Sequence, residues 1–157
     1  MAKWGNCDFS ELRKYADKLE KLTDADIEKL CIKCSKELAA RLLGLVIPRT
    51  PVGVYPASTG KVGGTLRRGW TGGEKSGVAA YAQSLPITKS GNMYTVTIEN
   101  PVEYASYVEF GHRTVNGGWV EGKYMLTISE ERLKQIAPRV LEKMIYQKFR
   151  EALNGRD

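Results

Sequence analysis

The sequence predicts an α+β fold: a small antiparallel sheet packed against a long N-terminal helix and a C-terminal helix, with a long extended loop between. Three observations predict it. Ile27, Leu30, Cys31, Cys34, Leu38, Leu42 and Leu45 form an apolar stripe at helical spacing. Tyr94, Val96 and Ile98 alternate with Thr95, Thr97 and Glu99, the two-residue period of a strand. Leu133, Ile136, Val140, Leu141, Met144, Ile145 and Phe149 make a second helical face near the end.

The elements follow in order. Ser10 can cap a first helix through about Leu22, in which Leu12, Tyr15, Leu19 and Leu22 share a face. Thr23 and Asp24 restart the chain, and the long helix runs to about residue 47. Pro48 and Pro51 end it, because proline lacks the N–H that the ladder needs. A first strand is expected over Val78–Lys89, as an edge strand because of Pro86. Ser90-Gly91-Asn92 turns it into the strand Met93–Glu99. A short helix spans Val102–Phe110, with Tyr104, Tyr107 and Val108 at helical spacing, Glu103 in its first turn and Gly111 as its stop. Asn116-Gly117-Gly118 is a turn, and Trp119–Leu126 is extended. Thr127-Ile128-Ser129-Glu130 has the form of a capping box. It opens a C-terminal helix that Pro138 kinks or restarts and Asn154-Gly155 ends. The 157 residues fit one domain. Its parts are helices over 1–47, the loop over 48–78, the sheet with its short helix over 79–126, and the last helix over 127–153.

Composition narrows the function. The chain is 42% hydrophobic and 27% charged, as soluble globular proteins are. It has no apolar run long enough to span a membrane and no apolar signal core after Met1, so synthesis in the cytoplasm is expected. Three cysteines, Cys7, Cys31 and Cys34, suit a reducing compartment. The net charge is +6, and residues 48–78 carry +4 of it: Arg49, Lys61, Arg67, Arg68 and Lys75 against Glu74. The same stretch holds eight of the sixteen glycines.

Chemistry is sparse. Cys31 and Cys34 form a C-x-x-C inside a helix stripe, where core packing is the plainer reading than metal or redox work. Residues 57–62 imitate a phosphate loop, but Tyr55 and Val62 stand where glycine and Ser/Thr are needed. His112 is the sole histidine, and no nucleophile-elbow pattern accompanies it. No catalytic residue, cofactor or metal is therefore assigned. Arg67, Arg68, Lys61 and Trp70 could contact phosphate and stack on a base in a sequence-independent nucleic-acid module. The same residues fit an arm that orders on a protein partner, or a solvated loop.

Several runs stand together in a recognisable order. Arg49-Thr50-Pro51-Val52 precedes Gly64-Thr65-Leu66-Arg67-Arg68-Gly69-Trp70. Asn100-Pro101-Val102-Glu103-Tyr104-Ala105-Ser106-Tyr107-Val108-Glu109-Phe110-Gly111-His112-Arg113 follows, then Gly117 to Leu126. Over about residues 40–153 this resembles the tail-component family of tailed bacteriophages and phage tail-like particles, described as tail-completion, neck or head–tail joining proteins. Residues 53–63 are an expansion relative to typical members. The resemblance implies a structural virion protein made in the host bacterial cytoplasm. It implies a ring of this chain, expected as a hexamer, at the head-proximal end of a tail, between neck or connector proteins near the portal and the tail tube or its terminator. A tail-terminator ring is the alternative within the same resemblance. DNA would pass through the lumen without specific binding, and no membrane is involved. The expected interface residues are Arg49, Lys61, Arg67, Arg68, Trp70, Glu109, His112, Arg113 and Trp119, in two patches as a head-to-tail ring requires.

Overall fold

A computed structural model describes residues 10–20, 22–74 and 76–154. The expected features at Cys7, Lys75 and Gly155, and the side chains of Leu12 and Tyr15, lie outside the described set. Helix α1 is Ser10–Glu20 and α2 is Asp24–Arg49. A 3-10 turn follows at Ala57–Thr59, then α3 (Thr65–Gly69) and α4 (Val78–Ser84). Strands β1 (Ile87–Ser90) and β2 (Met93–Val96) lead to α5 (Ala105–Phe110), β3 (Gly111–Arg113), β4 (Trp119–Glu121) and α6 (Met125–Asn154). The class is α+β as expected, with two separate two-stranded antiparallel sheets, β1–β2 and β3–β4.

Thr23 caps α2 in a reciprocal box. Its hydroxyl accepts from the Asp26 N–H at 3.2 Å, and the Asp26 carboxylate accepts from the Thr23 N–H at 3.1 Å. Hydrogen bonding from the Thr23 hydroxyl, then from its backbone, holds the Asp26 carboxyl below its ordinary value. A depressed acid stabilises the fold above its unfolded pKa and loses that contribution as pH falls through the folded one. Urea unfolding between about pH 5 and pH 2 should therefore show a loss of stability that Asp26→Asn flattens. An unchanged acid limb would disprove the assignment.

The long helix passes through Pro48 instead of stopping before it. A proline in the last turn removes one donor only. The Thr50 N–H returns to the Val46 and Ile47 carbonyls and closes the end. The buried line of α2 is Ala39, Leu43 and Val46, continued by Thr50 at its C-cap, beside the predicted stripe, whose Leu38, Leu42 and Leu45 are half-buried. The reason is contact on several sides: α2 packs against α6, α4 and β2. Ala39, Leu43 and Val46 join Leu66, Trp70, Ala82 and Met125 in one core.

The expected strand over Val78–Lys89 is corrected. Val78, Tyr81, Ala82 and Leu85 recur at i, i+3, i+4, i+7, and residues 78–84 form α4 against α2. The strand begins only after Pro86. β1 then pairs β2 with Ile87 opposite Val96 and Ser90 opposite Met93. Tyr94, Val96 and Ile98 are half-buried and their neighbours exposed, as the alternation predicts.

Further boundaries differ, and β2 ends at Val96, short of the expected Glu99. α5 starts at Ala105, leaving Glu103 ahead of it. α6 starts at Met125, so Thr127 lies inside the first turn instead of capping it, and it runs through Pro138 without a break. The strand expected over 119–126 is accordingly confined to β4.

Candidate assembly surface

The stretch 48–78 is only partly an extended arm. Its second half folds inward. Leu66 and Trp70, four residues apart around α3, bring both side chains to the core. The Trp70 indole N–H donates to the Thr50 hydroxyl at 2.7 Å, and that hydroxyl donates to the Val46 carbonyl at 2.8 Å. Arg67 donates to the Thr50 carbonyl from Nε at 3.1 Å and from Nη2 at 2.7 Å. A cation on the last carbonyls of α2 also meets the negative end of its dipole. Asn100 ties in the next segment, donating to the Leu66 carbonyl at 2.8 Å and accepting from the Val102 N–H at 3.2 Å.

The first half projects. Gly63 crosses the Gly53 carbonyl so closely that no side chain fits there. The expanded loop 53–63 is thus pinched at its base, and its tip is exposed. Val54 is 94% exposed and Val62 77%. Lys61 is solvent-facing with its ammonium 5.9 Å from the Tyr55 ring centre. Arg68 bends back to the Gly63 carbonyl at 3.1 Å and the Thr65 hydroxyl at 3.3 Å. Arg49 is exposed and donates to the Leu45 carbonyl of its own helix at 2.9 Å.

The second region is built on α5 and the β3–β4 hairpin. α5 carries two apolar stripes. Ala105 and Val108, with Val102 just ahead of the helix, pack on the core. Tyr104, Tyr107 and Phe110 are 44%, 57% and 61% exposed. Gly111 pairs with Glu121, His112 with Val120 and Arg113 with Trp119. Trp119 is 56% exposed. The His112 ring lies 5.6 Å from that of Tyr107, and its Nδ1 is buried without a hydrogen-bond partner among the described residues.

Glu109 faces the other way. It is buried, and its carboxylate accepts from the Leu126 N–H at 2.9 Å, the Thr127 N–H at 2.9 Å and the Thr127 hydroxyl at 2.7 Å. Its own carbonyl accepts from the Tyr124 N–H at 3.0 Å. Gly122 runs against that backbone too closely for any side chain. Glu109 thus caps α6 and anchors the hairpin to it.

The nine expected interface residues therefore divide. Trp70 and Glu109 are interior, and Arg67 is spent on carbonyls. Arg49, Lys61, Arg68, Arg113 and Trp119 are exposed, and His112 is half-buried beside Tyr107. Trp70 cannot stack on a base, so the Lys61, Arg67, Arg68 and Trp70 constellation does not assemble as a nucleic-acid surface. The expected grouping of Tyr104 and Tyr107 with Val108 is corrected: Val108 packs on the core, whereas Tyr104, just ahead of α5, and Tyr107 and Phe110 on it are exposed. Their i, i+3, i+6 spacing, separate from that of Val102, Ala105 and Val108, is the signal that marks them. The two regions meet where Pro51 to Leu66 border Tyr104 and Val108 around a cavity of about 240 Å³.

Cys31 and Cys34 are free and half-buried in α2; burial pushes the Cys34 thiol up, with a smaller push from Cys31. Among the described residues no helix is long and apolar enough to cross a membrane. This is a small α+β protein with a broad exposed apolar surface, the kind of surface that assembly subunits present. The chain belongs to the HK97-gp10-like family, described as "Bacteriophage HK97-gp10, putative tail-component", which matches residues 13–111, from α1 to the first residue of β3. It is accordingly a bacteriophage tail component, a virion protein. No curated protein and no solved structure gives a significant match.

Proposed function

We propose that this tail component is a non-catalytic subunit that forms a ring at the head-proximal end of the tail and joins it to the neck. Six copies are expected, with connector proteins near the portal on one side and the tail tube or terminator on the other. DNA passes through the lumen unaltered. The observation that carries the reading is the pair of unlike exposed surfaces on one chain. One is the aromatic face of Tyr104, Tyr107, Phe110 and Trp119 with Arg113 at its edge. The other is the pinched loop with Val54, Lys61 and Val62. Unlike patches suit heterologous contacts, which close into rings. A two-stranded ribbon as short as β3–β4 gains support from a neighbour. In this reading Arg67, Trp70 and Glu109 act from within, by holding the loop and the hairpin in place.

The test is electron microscopy of particles made with Trp119→Ala/Tyr107→Ala. Both side chains are exposed, so the subunit should still fold. Heads and tails are expected to accumulate unjoined, with the variant lost from purified tails. Absence of the unmodified protein from purified particles would overturn the proposal.

A further inference from the structure

A groove of about 760 Å³ runs between α2 and α6, away from the hairpin. The helices are antiparallel: Asp26 near the start of α2 lies 3.8 Å from Lys148 near the end of α6. The α2 wall extends from Asp26 to Arg41 and the α6 wall from Gln135 to Glu151, each roughly 23 Å at 1.5 Å per residue. Leu30, Ile136, Val140 and Met144 form an apolar floor, all half-buried.

The rim is basic. Six cations line the groove against three carboxylates, Asp26, Glu37 and Glu151. Each carboxylate is already engaged: Glu37 with Arg41 at 2.8 Å, Asp26 with Thr23 and Lys148, and Glu151 with Gln147 at 3.1 Å. Lys29, Lys33, Arg139 and Lys143 have no ion-pair partner among the described residues and are exposed. An apolar floor between unpaired cations calls for an occupant with an apolar stripe and acidic flanks. A second copy of this chain, at +6, brings the wrong charge. A nucleic-acid backbone satisfies the rim and leaves the floor in water.

We infer that this groove docks an acidic amphipathic helix of a partner protein, about 15 residues long. The apolar stripe seats on Leu30, Ile136, Val140 and Met144, as helices lie in grooves. Met144, unbranched and polarizable, adapts to the side chains it meets. The carboxylates pair with Lys29, Lys33, Arg139 and Lys143, which set orientation and speed of encounter.

The experiment titrates the full chain into a fluorescent synthetic helix of about 15 residues, leucine on one stripe and glutamate elsewhere. Saturable binding is expected that weakens with salt. A lysine-for-glutamate version, and a scrambled version with the same composition, should fail to bind. Lys33→Gln/Lys143→Gln, both exposed, should weaken binding about tenfold with an unchanged circular dichroism spectrum. Equal binding of the scrambled peptide, or unchanged affinity in the lysine variant, overturns the inference. So does duplex DNA that binds the chain and displaces the peptide, or a dimer in sedimentation that the lysine variant dissolves. None of these outcomes depends on ring formation.

Discussion

Trp70→Ala is expected to cost about 3–5 kcal/mol of stability, the usual range for emptying a buried tryptophan site. Trp70 is 3% exposed in a core with Leu43, Val46 and Leu66. For a chain of this size each kcal/mol corresponds to roughly 2–4 °C in Tm, so a fall of about 10 °C should be seen in a thermal melt. The indole also closes a chain of hydrogen bonds, Trp70 to Thr50 to Val46. Trp70→Phe keeps part of the apolar contact but loses the N–H donation and the volume of the second ring, at about 2–3 kcal/mol. Thr50→Val strands a buried indole N–H at about 1–3 kcal/mol. The double variant Trp70→Phe/Thr50→Val should cost clearly less than the sum, because neither partner is left unsatisfied. Strict additivity would show that the pair does not act as a unit. Because Trp70 caps α3 at its C-terminal end and the loop 53–63 springs from the segment before that helix, the single variants should also loosen the loop's base at Gly53 and Gly63.

What was legible in the sequence depended on how local the cause was. The long helix, the strand at Met93, the helix before Gly111 and the last helix are each written in a periodic pattern, and each formed. The segment 48–78 was hard to read because its charge and glycine content dominate any window. The inward signal there is one pair, Leu66 and Trp70, whose partner Thr50 lies twenty residues away. Arg67 looks like a free cation for the same reason: its acceptors are carbonyls at the end of another helix. Residues 78–85 carried a full helical repeat, but Pro86 and the strand beyond it favour an extended reading of the whole run. Of the proposed assembly surface, Trp119, Arg113 and Lys61 were visible as candidates. Tyr104 and Tyr107 were not, because a six-residue helix with two apolar stripes does not reveal which one faces inward.

The start of α6 is where long-range structure displaced a local motif, and Glu109→Ala should expose it. The run Thr127 to Glu130 matches a capping box, yet the helix begins two residues earlier because a carboxylate from α5 satisfies the free N–H groups. Two backbone donors and one hydroxyl converge on that buried carboxylate, at the positive end of the helix dipole. Hydrogen bonds to a charged group contribute about 1.5–3 kcal/mol, and removing the acceptor also strands the donors. A loss of about 3 kcal/mol is expected for Glu109→Ala. Glu109→Gln keeps the shape and one acceptor oxygen but turns an amide toward N–H donors, so it should fall between alanine and the native protein. Hydrogen exchange distinguishes this from a general loss of stability. The amides of Leu126 and Thr127 should exchange faster in both variants, well before those of Leu43 and Val46 in α2. If the two sets accelerate together, Glu109 contributes only to global stability. Preferential loss at Leu126 and Thr127 would establish that one side chain fixes the α6 terminus, and with it the hairpin that carries Trp119.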